Sequence, residues 1–579
     1  MNKRGWMLAI GVLLLATVFA GTAVAEYGEW ELRCQYGLIY NQSALLSLSA
    51  VDAEHLFTTS VHQDGATSAQ MAHFSTDGGY SWQTWRHMEA GSGFCGAFKF
   101  IHMYLDLHMY NLNEGVMGGF GINDDCLDLL PEPLCLICVF MNGIEAQWTD
   151  DGGVTWNKAQ LIDKPTNGSL SAIQMFDDGT GFGVGQVGTF MRTDDGGHTW
   201  EQLGNPDTSQ EEWEVKGQHL HFLDDQVGYI ATGLYDEDVE DPVRWSQATS
   251  AQDVIDWMTH YARLRSDPFY RRAYYLAHPL PAKGVNGKVL KTEDGGLNWT
   301  PLYADANRHF SKVYFVDEDH GYICGESHLQ QTEPIWVMLE TRDGGDTWQP
   351  APLPAWNTIP GLQRDYAPLN VKFISSHMGF VIGVGLTKLG MTKTLIFYTQ
   401  DGGVTWQHDP FDEGIYEPLD IEFVDRDAFV IGQGFMSLAY LGVNSTPIAD
   451  AGDDQTVPLG TTAMLDGSGS YDIDGEPLAY LWEQTAGEDM PLSSYDQATT
   501  SFVATQLGEF TFELMVSDGE INSEPDEVTI TVVEEETDDD DTVDDDDTGD
   551  DDDNNDNDDD ANLDGDDDDD DSNGCGCQV

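Results

Sequence analysis

The chain has 579 residues, 40% of them hydrophobic, which is enough for more than one cored domain. Lys and Arg total 25 against 102 Asp and Glu, a formal net charge of −77. Sequence-independent binding to DNA or RNA needs Lys and Arg to displace counterions, so this balance argues against nucleic acid as a partner. Part of the acidity is local: residues 534–571 hold 26 acids and no base, leaving 76 acids against 25 bases in the rest. The body is therefore acidic without its tail, which suits solubility, cation binding or a saline medium.

Residues 1–25 read as a secretory signal. Lys3 and Arg4 form the charged end, residues 7–20 the apolar centre, and Ala23-Val24-Ala25 the cleavage site. No Cys follows the cleavage site to carry a lipid, and no other run is long and apolar enough to span a bilayer. The mature protein is expected outside the cytoplasm, secreted or at the cell surface. In that setting Cys126 with Cys135 or Cys138 is expected to staple a loop. Cys135-Leu136-Ile137-Cys138 also has zinc or redox spacing, but a second Cys or His pair at zinc spacing is missing and the staple is the favoured reading.

From residue 26 the chain repeats itself. Six stretches follow the pattern Ser/Thr-x-Asp-Gly-Gly-x-x-Trp, centred on Asp77, Asp151, Asp195, Asp294, Asp343 and Asp401. The Asp can fold back onto nearby amides, the two Gly permit positive φ, and the Trp restarts a strand as an apolar anchor. Upstream of each lies an alternating strand, a polar turn and a Gly-aromatic strand, the pattern of a β-hairpin. These openings start at Leu48, Leu107, Ile173, Leu220, Val313, Val371 and Ile421, seven against six Asp-Gly-Gly turns.

Spacing locates the insertions. Phe315 to Asp343 and Phe373 to Asp401 are both 28 residues, whereas Met109 to Asp151 is 42 and Phe222 to Asp294 is 72. Met175 to Asp195 is only 20, a trimmed unit. A repeat at such intervals implies a radial or solenoid architecture.

The eight-residue unit resembles the Asp-box, or BNR repeat, of sialidases, sortilin-like receptors, xyloglucanases and the photosystem II stability/assembly factors, all β-propellers. The count and the Gly-aromatic hairpin are most similar to the last of these. The resemblance implies that the six Asp residues are structural turns away from the ligand face. The expectation is an all-β fold in which residues 26–444 form a seven-bladed propeller. Trp30-Glu31-Leu32-Arg33 would complete the blade opened at Ile421.

The fourth blade carries the least propeller-like segment, about 233–285. Val254, Trp257, Met258 and Tyr261 lie at helical spacing, and Pro268 ends the pattern. Arg263, Arg265, Arg271 and Arg272 are interleaved with Tyr270, Tyr274 and Tyr275, an Arg-aromatic cluster in an otherwise acidic chain. Such clusters on a rigid scaffold build recognition sites. The plainer reading is a helical lid whose aromatics pack on the blade and whose Arg residues pair with the acidic body.

From Pro447 the texture changes to short alternating strands, among them Leu478-Ala479-Tyr480-Leu481-Trp482 and residues 510–516, over about 90 residues. Together with Ser470-Tyr471-Asp472-Ile473-Asp474-Gly475, these residues resemble a PKD-type, immunoglobulin-like β-sandwich spanning 447–533, with Trp482 as its core aromatic. Modules of that family serve as spacers or as protein- and carbohydrate-contact domains of surface proteins. Asp472 and Asp474 could hold Ca²⁺, but Asp-x-Asp-Gly is also an ordinary turn, and the turn is the favoured reading.

Residues 534–579 repel themselves and have almost nothing to bury, so a disordered acidic tail is expected. Asp560, Asn562, Asp564 and Asp571 match positions of an EF-hand-type loop, a match that comes cheaply in an Asp run. The closing Gly574-Cys575-Gly576-Cys577 is similar to sorting tails of some Gram-negative surface proteins, although the apolar helix and basic cluster of such tails are missing.

Two functions follow. One is a non-enzymatic, exported or cell-surface binding or assembly-scaffold protein of a Gram-negative bacterium, monomeric, with an extracellular protein or carbohydrate as partner. It requires no cofactor, and Ca²⁺ is the one ion the carboxylates suit. The other is a sialidase-like glycoside hydrolase, which needs an Arg cluster, a Tyr nucleophile with a Glu base, and an Asp acid. The Phe/Tyr-Arg-Ile-Pro opening of sialidase domains is absent and the propeller Arg residues are scattered, so binding is favoured.

Overall fold

The computed structural model describes residues 29–34, 44–64, 67–86, 102–122, 142–163, 168–207, 217–233, 287–305, 308–327, 336–363, 365–388, 391–411, 417–433 and 436–534. The signal segment, Cys126 to Cys138, the insertion beyond Gly233 and the tail beyond Glu534 lie outside the described residues. Among those described, every regular element is a strand apart from one 3-10 turn, Trp356–Thr358.

Seven sheets follow one another along residues 44–441. Each is an antiparallel meander, and the first strands of successive sheets are neighbours, the seventh returning to the first. We number these blades one to seven from Ala44. The third is the trimmed unit, with strands of four residues, and gains a fifth strand because Gln160–Ile162 pairs in parallel with Thr199–Gln202. The seventh comprises Pro418–Val424, Asp427–Gly432 and Met436–Leu441, and its fourth strand is Glu29–Cys34, with Trp30 opposite Tyr440 and Leu32 opposite Leu438. Closure by the far end of the chain leaves no unpaired edge at the place where the ring begins and ends.

The core lies between blades rather than within them. Each blade-to-blade contact has its own buried cluster: Leu45 and Leu48 with Phe429 and Ile431, and Phe57 with Tyr104 and Leu107. Further round, Val116 meets Leu170, Phe182 meets Phe222, and Val313 meets Tyr229. Val371 packs on Tyr322, and Ile421 on Phe380, to complete the circuit. The Gly-aromatic hairpins explain themselves here. Gly228, Gly321 and Gly379 pair directly with Phe222, Phe315 and Phe373, whose rings fold over them. A Cβ at these glycines would sit 2.4–2.6 Å from the ring carbons, so no larger residue fits.

The six Asp-Gly-Gly repeats close the same turn. In the last, the Thr399 hydroxyl and the Thr405 amide both donate to Asp401 Oδ1 at 2.8 Å, and the Thr405 hydroxyl donates to Oδ2 at 2.6 Å. The Gly403 amide donates back to Thr399 Oγ1 at 2.8 Å, with φ of 63° and 82° at Gly402 and Gly403. The Trp that follows is partly or fully buried, and in three repeats its indole N–H donates to the second Gly carbonyl, as Trp200 does to Gly197 at 3.1 Å. In the fifth repeat the Thr347 hydroxyl and amide hold the Asp343 carboxyl below the usual carboxylate range. These carboxylates are occupied in holding turns.

Residues 455–533 form a β-sandwich. One sheet orders Gln455–Pro458, Asp526–Val533, Gly508–Ser517 and Ala479–Ala486, and the other pairs Thr462–Asp466 with Thr499–Val503. Trp482 is 1% exposed in its core, against Leu465, Phe502, Phe512 and Leu514.

Candidate functional site

Two clusters of ionisable side chains stand out among the described residues, one around the propeller axis and one where the propeller meets the sandwich.

The axis is lined by the first strand of each blade, and alternate residues there are polar. Each reaches sideways to the backbone of the next blade. Ser47 Oγ accepts from Leu107 N at 2.9 Å, Asp106 Oδ2 from Ile173 N at 2.7 Å, and Gln174 Oε1 from Phe222 N at 2.8 Å. His219 Nδ1 and His221 Nε2 donate to the Val313 and Phe315 carbonyls at 3.1 and 2.9 Å, which fixes both tautomers. Tyr314 bonds the Phe373 backbone, Asn370 donates to Asp420, and Asp420 Oδ2 accepts from Leu48 N at 2.9 Å. Lys372 pairs with Glu422, and Lys312 lies 4.0 Å from Asp420. Burial, with Lys372 nearby, lowers His108 and His221 to about 4, so both are neutral at pH 7. The axial side chains are engaged with one another and with the scaffold.

Arginines tie the other face. Arg33 donates to the Gly78 carbonyl at 2.6 Å, and Arg342 to that of Gly402 at 2.8 Å, each the first Gly of a neighbouring repeat turn. Arg342 also pairs with Glu340, which accepts from Tyr322, and His320 Nε2 lies 2.8 Å from the Tyr322 oxygen. Tyr322 and Glu340 are 0% and 3% exposed. Burial and the Glu340 charge push the Tyr322 hydroxyl far above its ordinary value. A Tyr–Glu–Arg set of this kind has the composition of a sialidase centre, but here it is closed off from substrate and opposed to ionisation.

The joint is built from the loop Tyr471-Asp472-Ile473-Asp474-Gly475-Glu476. Ile473 leaves the sandwich and enters the buried cluster of blades six and seven, beside Phe380, Ile421 and Tyr440. Its carbonyl accepts from Ser375 Oγ at 2.6 Å, and the Tyr471 ring stacks on His377 at 3.7 Å and 4°. Gly475, at φ 82°, passes so close to Ser375 that a Cβ would lie 3.2 Å from its side chain. In the linker, Ser445 gives its amide and hydroxyl to Asp474 at 2.6 and 3.3 Å, and Asn444 donates to Asp518 and Glu520. Arg426 of blade seven lies 3.5 Å from Glu476 and 3.8 Å from Glu520.

One oxygen each from Asp472, Asp474 and Glu476 lie within 4.8 Å of one another. Asp472 is 4% exposed; its Oδ1 accepts from Asp474 N at 2.7 Å, the turn bond expected of Asp-x-Asp-Gly. Its Oδ2 and Glu476 Oε2 are buried without a donor. Burial, with carboxylates at Asp474, Glu476 and Asp518 around it, pushes Asp472 up to about 6, and burial raises Asp474 and Glu476 too.

The sequence-derived candidates thus divide. Asp472 and Asp474 come together at the joint, and Asp77, Asp151, Asp195, Asp294, Asp343 and Asp401 sit in their turns. Arg263, Arg265, Tyr270, Arg271, Arg272, Tyr274, Tyr275, Asp560, Asn562, Asp564 and Asp571 lie outside the described residues. Sequence reasoning missed Glu476, Arg426, Asn444 and Ser445, whose roles arise only when two domains meet. It also missed the axial ring, although polar residues at alternate positions of each first strand signal it.

Residues 451–532 match the family model of the KIAA0319-like PKD domain, and the sandwich is a PKD domain. Over 94 residues the chain is 37% identical to the dyslexia-associated KIAA0319-like protein of Mus musculus. That match takes in 16% of this chain and 9% of the mouse protein, so the chain spans under a tenth of that relative. Among solved structures, YCF48 bound to D1 peptide is similar at 17% identity with a TM-score of 0.42, over 72% of this chain and 98% of that one. The Hadza microbial sialidase Hz136 is similar at 12% identity and TM-score 0.31, over 69% and 66%. The propeller architecture rests on the seven sheets themselves.

Proposed function

We propose that this is a non-enzymatic, exported or cell-surface binding or assembly-scaffold protein of a Gram-negative bacterium. The propeller is the recognition body, and the PKD domain spaces it from an acidic tail. The observation that carries this reading is the use made of the propeller's arginines. Arg33, Arg192, Arg308, Arg342 and Arg426 lie in five different blades, each bonded to a neighbouring carboxylate or turn. A sialidase gathers several arginines on one substrate carboxylate and keeps a Tyr–Glu pair open beside it. Neither requirement suits arginines spent on the scaffold or a Tyr322–Glu340 pair sealed between blades.

For the contact itself we propose the fourth-blade insertion, where Arg263, Arg265, Arg271 and Arg272 with Tyr270, Tyr274 and Tyr275 would receive a carboxylate-bearing protein or glycan. The experiment has two arms. Wild-type protein is offered a panel of fluorogenic glycosides, sialosides included, and no turnover is expected. Immobilised wild type and an Arg271→Glu/Arg272→Glu variant of equal melting temperature then capture acidic glycans and extracellular proteins, and the variant is expected to lose capture. Turnover of any glycoside by wild type, or undiminished capture by the variant, would overturn the reading.

A further inference from the structure

We propose that Asp472, Asp474 and Glu476 form a Ca²⁺ site that locks the PKD domain onto blades six and seven, so that external calcium fixes the posture of the propeller on its spacer. The inference does not depend on what the propeller binds.

Charge motivates it first. Residues 445–534 contain no Lys, Arg or His, so this domain has no cation of its own. At the joint Asp472, Asp474, Glu476, Asp518 and Glu520 converge on one guanidinium, that of Arg426, which contacts only Glu476 and Glu520 among them. Asp472 and Asp474 have no ion-pair partner among the described residues.

The second observation is independent of charge. Buried polar atoms nearly always find a partner, and a carboxylate oxygen left without one is costly. Asp472 is more than nine-tenths buried, yet its Oδ2 accepts nothing, and Glu476 Oε2 is in the same condition. Two orphaned acceptors in one three-carboxylate cluster call for a shared cation. Ca²⁺ binds oxygens at about 2.3–2.6 Å, so two of its ligands stand no more than about 5 Å apart. The 4.8 Å spread of the three oxygens fits that sphere. Asp474 already accepts from Ser445, but each carboxylate oxygen has a second lone pair to offer. Three carboxylates with variable angles suit Ca²⁺ better than Mg²⁺, which demands near-octahedral geometry and keeps its waters.

The consequence comes from Ile473. It sits between two of the ligands and is the side chain the sandwich buries in the propeller core. A cation holding Asp472 and Asp474 fixes the loop that presents Ile473, and through Asp474 it also fixes Ser445 in the linker. Metal binding and domain docking are thereby one event.

The test uses the full mature chain. Tb³⁺ is the probe, because the tail has no Tyr or Trp to sensitise it whereas Tyr471 adjoins the cluster. Wild type is expected to give saturable Tb³⁺ emission that Ca²⁺ displaces, and Asp472→Asn to weaken binding at least tenfold. Protease cleavage within residues 442–447 should slow at least fivefold on adding Ca²⁺ in wild type and not in the variant. Should Asp472→Asn fail to fold, Glu476→Gln at a half-exposed position takes its place. Unchanged emission in the variants, equal protection by Mg²⁺, or calcium protection that survives both substitutions would each overturn the proposal.

Discussion

Asp420 and Leu48 lie 372 residues apart in sequence, and the Asp420 carboxylate accepts the Leu48 amide at 2.9 Å. It is the bond that shuts the ring, the last of a series in which each blade's first strand reaches the next. The same carboxylate takes Asn370 Nδ2 at 2.9 Å, so one side chain joins blades six, seven and one.

Removing that carboxylate should therefore cost more than removing any ordinary latch. Asp420→Ala leaves the Leu48 amide and Asn370 without acceptors and strips Lys312 of its nearest carboxylate. The expected loss is about 2–4 kcal/mol, against about 1 kcal/mol for Ser47→Ala. Urea unfolding of the two variants measures the difference, and equal losses would refute a special role for the closing bond.

Asp401→Ala tests the repeat turns. Three donors lose their acceptor, Thr399 Oγ1, Thr405 N and Thr405 Oγ1. At about 1 kcal/mol for each bond, the variant should melt several degrees lower. Partner capture should be unaffected once the variant is folded. Capture lost at an unchanged melting temperature would show that the turn is itself a contact site.

The axial histidines predict a pH dependence with a definite sign. His108 and His221 stand at about 4 in the folded chain, against about 6.5 unfolded. Between these values the unfolded chain binds more protons, so their contribution to stability is complete above pH 6.5 and is lost as pH falls towards 4. His221→Gln keeps a donor for the Phe315 carbonyl but does not titrate. Melting curves from pH 7.5 to 4.5 should fall less steeply for that variant than for wild type. Parallel curves would remove His221 from the acid response.

Docking of the sandwich should hinge on Ile473, which is 6% exposed and whose neighbours belong to the propeller. Ile473→Ala opens a cavity worth about 2–4 kcal/mol at the joint, and Asp472 and Asp474 keep their places in the turn. Faster proteolysis at residues 442–447, with the melting of each domain little changed, is the expected result. A drop in the melting of the PKD domain itself would mean that Ile473 serves its own fold instead.

Much of the architecture is legible in the chain because its determinants are local. The turn at Asp401 is closed by Thr399 and Thr405, two and four residues away, so the motif carries its own hydrogen-bond partners. The Gly-aromatic hairpin is equally local, since Gly379 lies six residues beyond the Phe373 ring that covers it. Alternation of apolar residues over 510–516 likewise announces a strand buried on one face, as in the strand Gly508–Ser517.

What the tertiary structure alone decided has the opposite character. Nothing near Asp420 says that its partner is Leu48, because only closing the ring brings blade seven to blade one. Nothing near Asp472 says whether its carboxylate merely makes a turn or lacks a partner, because its burial is set by a propeller that ends some thirty residues earlier. Sequence determined the local bonds, whose partners are only a few residues away and cost little chain entropy to bring together. Partners hundreds of residues apart, and the desolvation that makes a carboxylate require a cation, depend on how finished domains pack, and so belong to the fold as a whole.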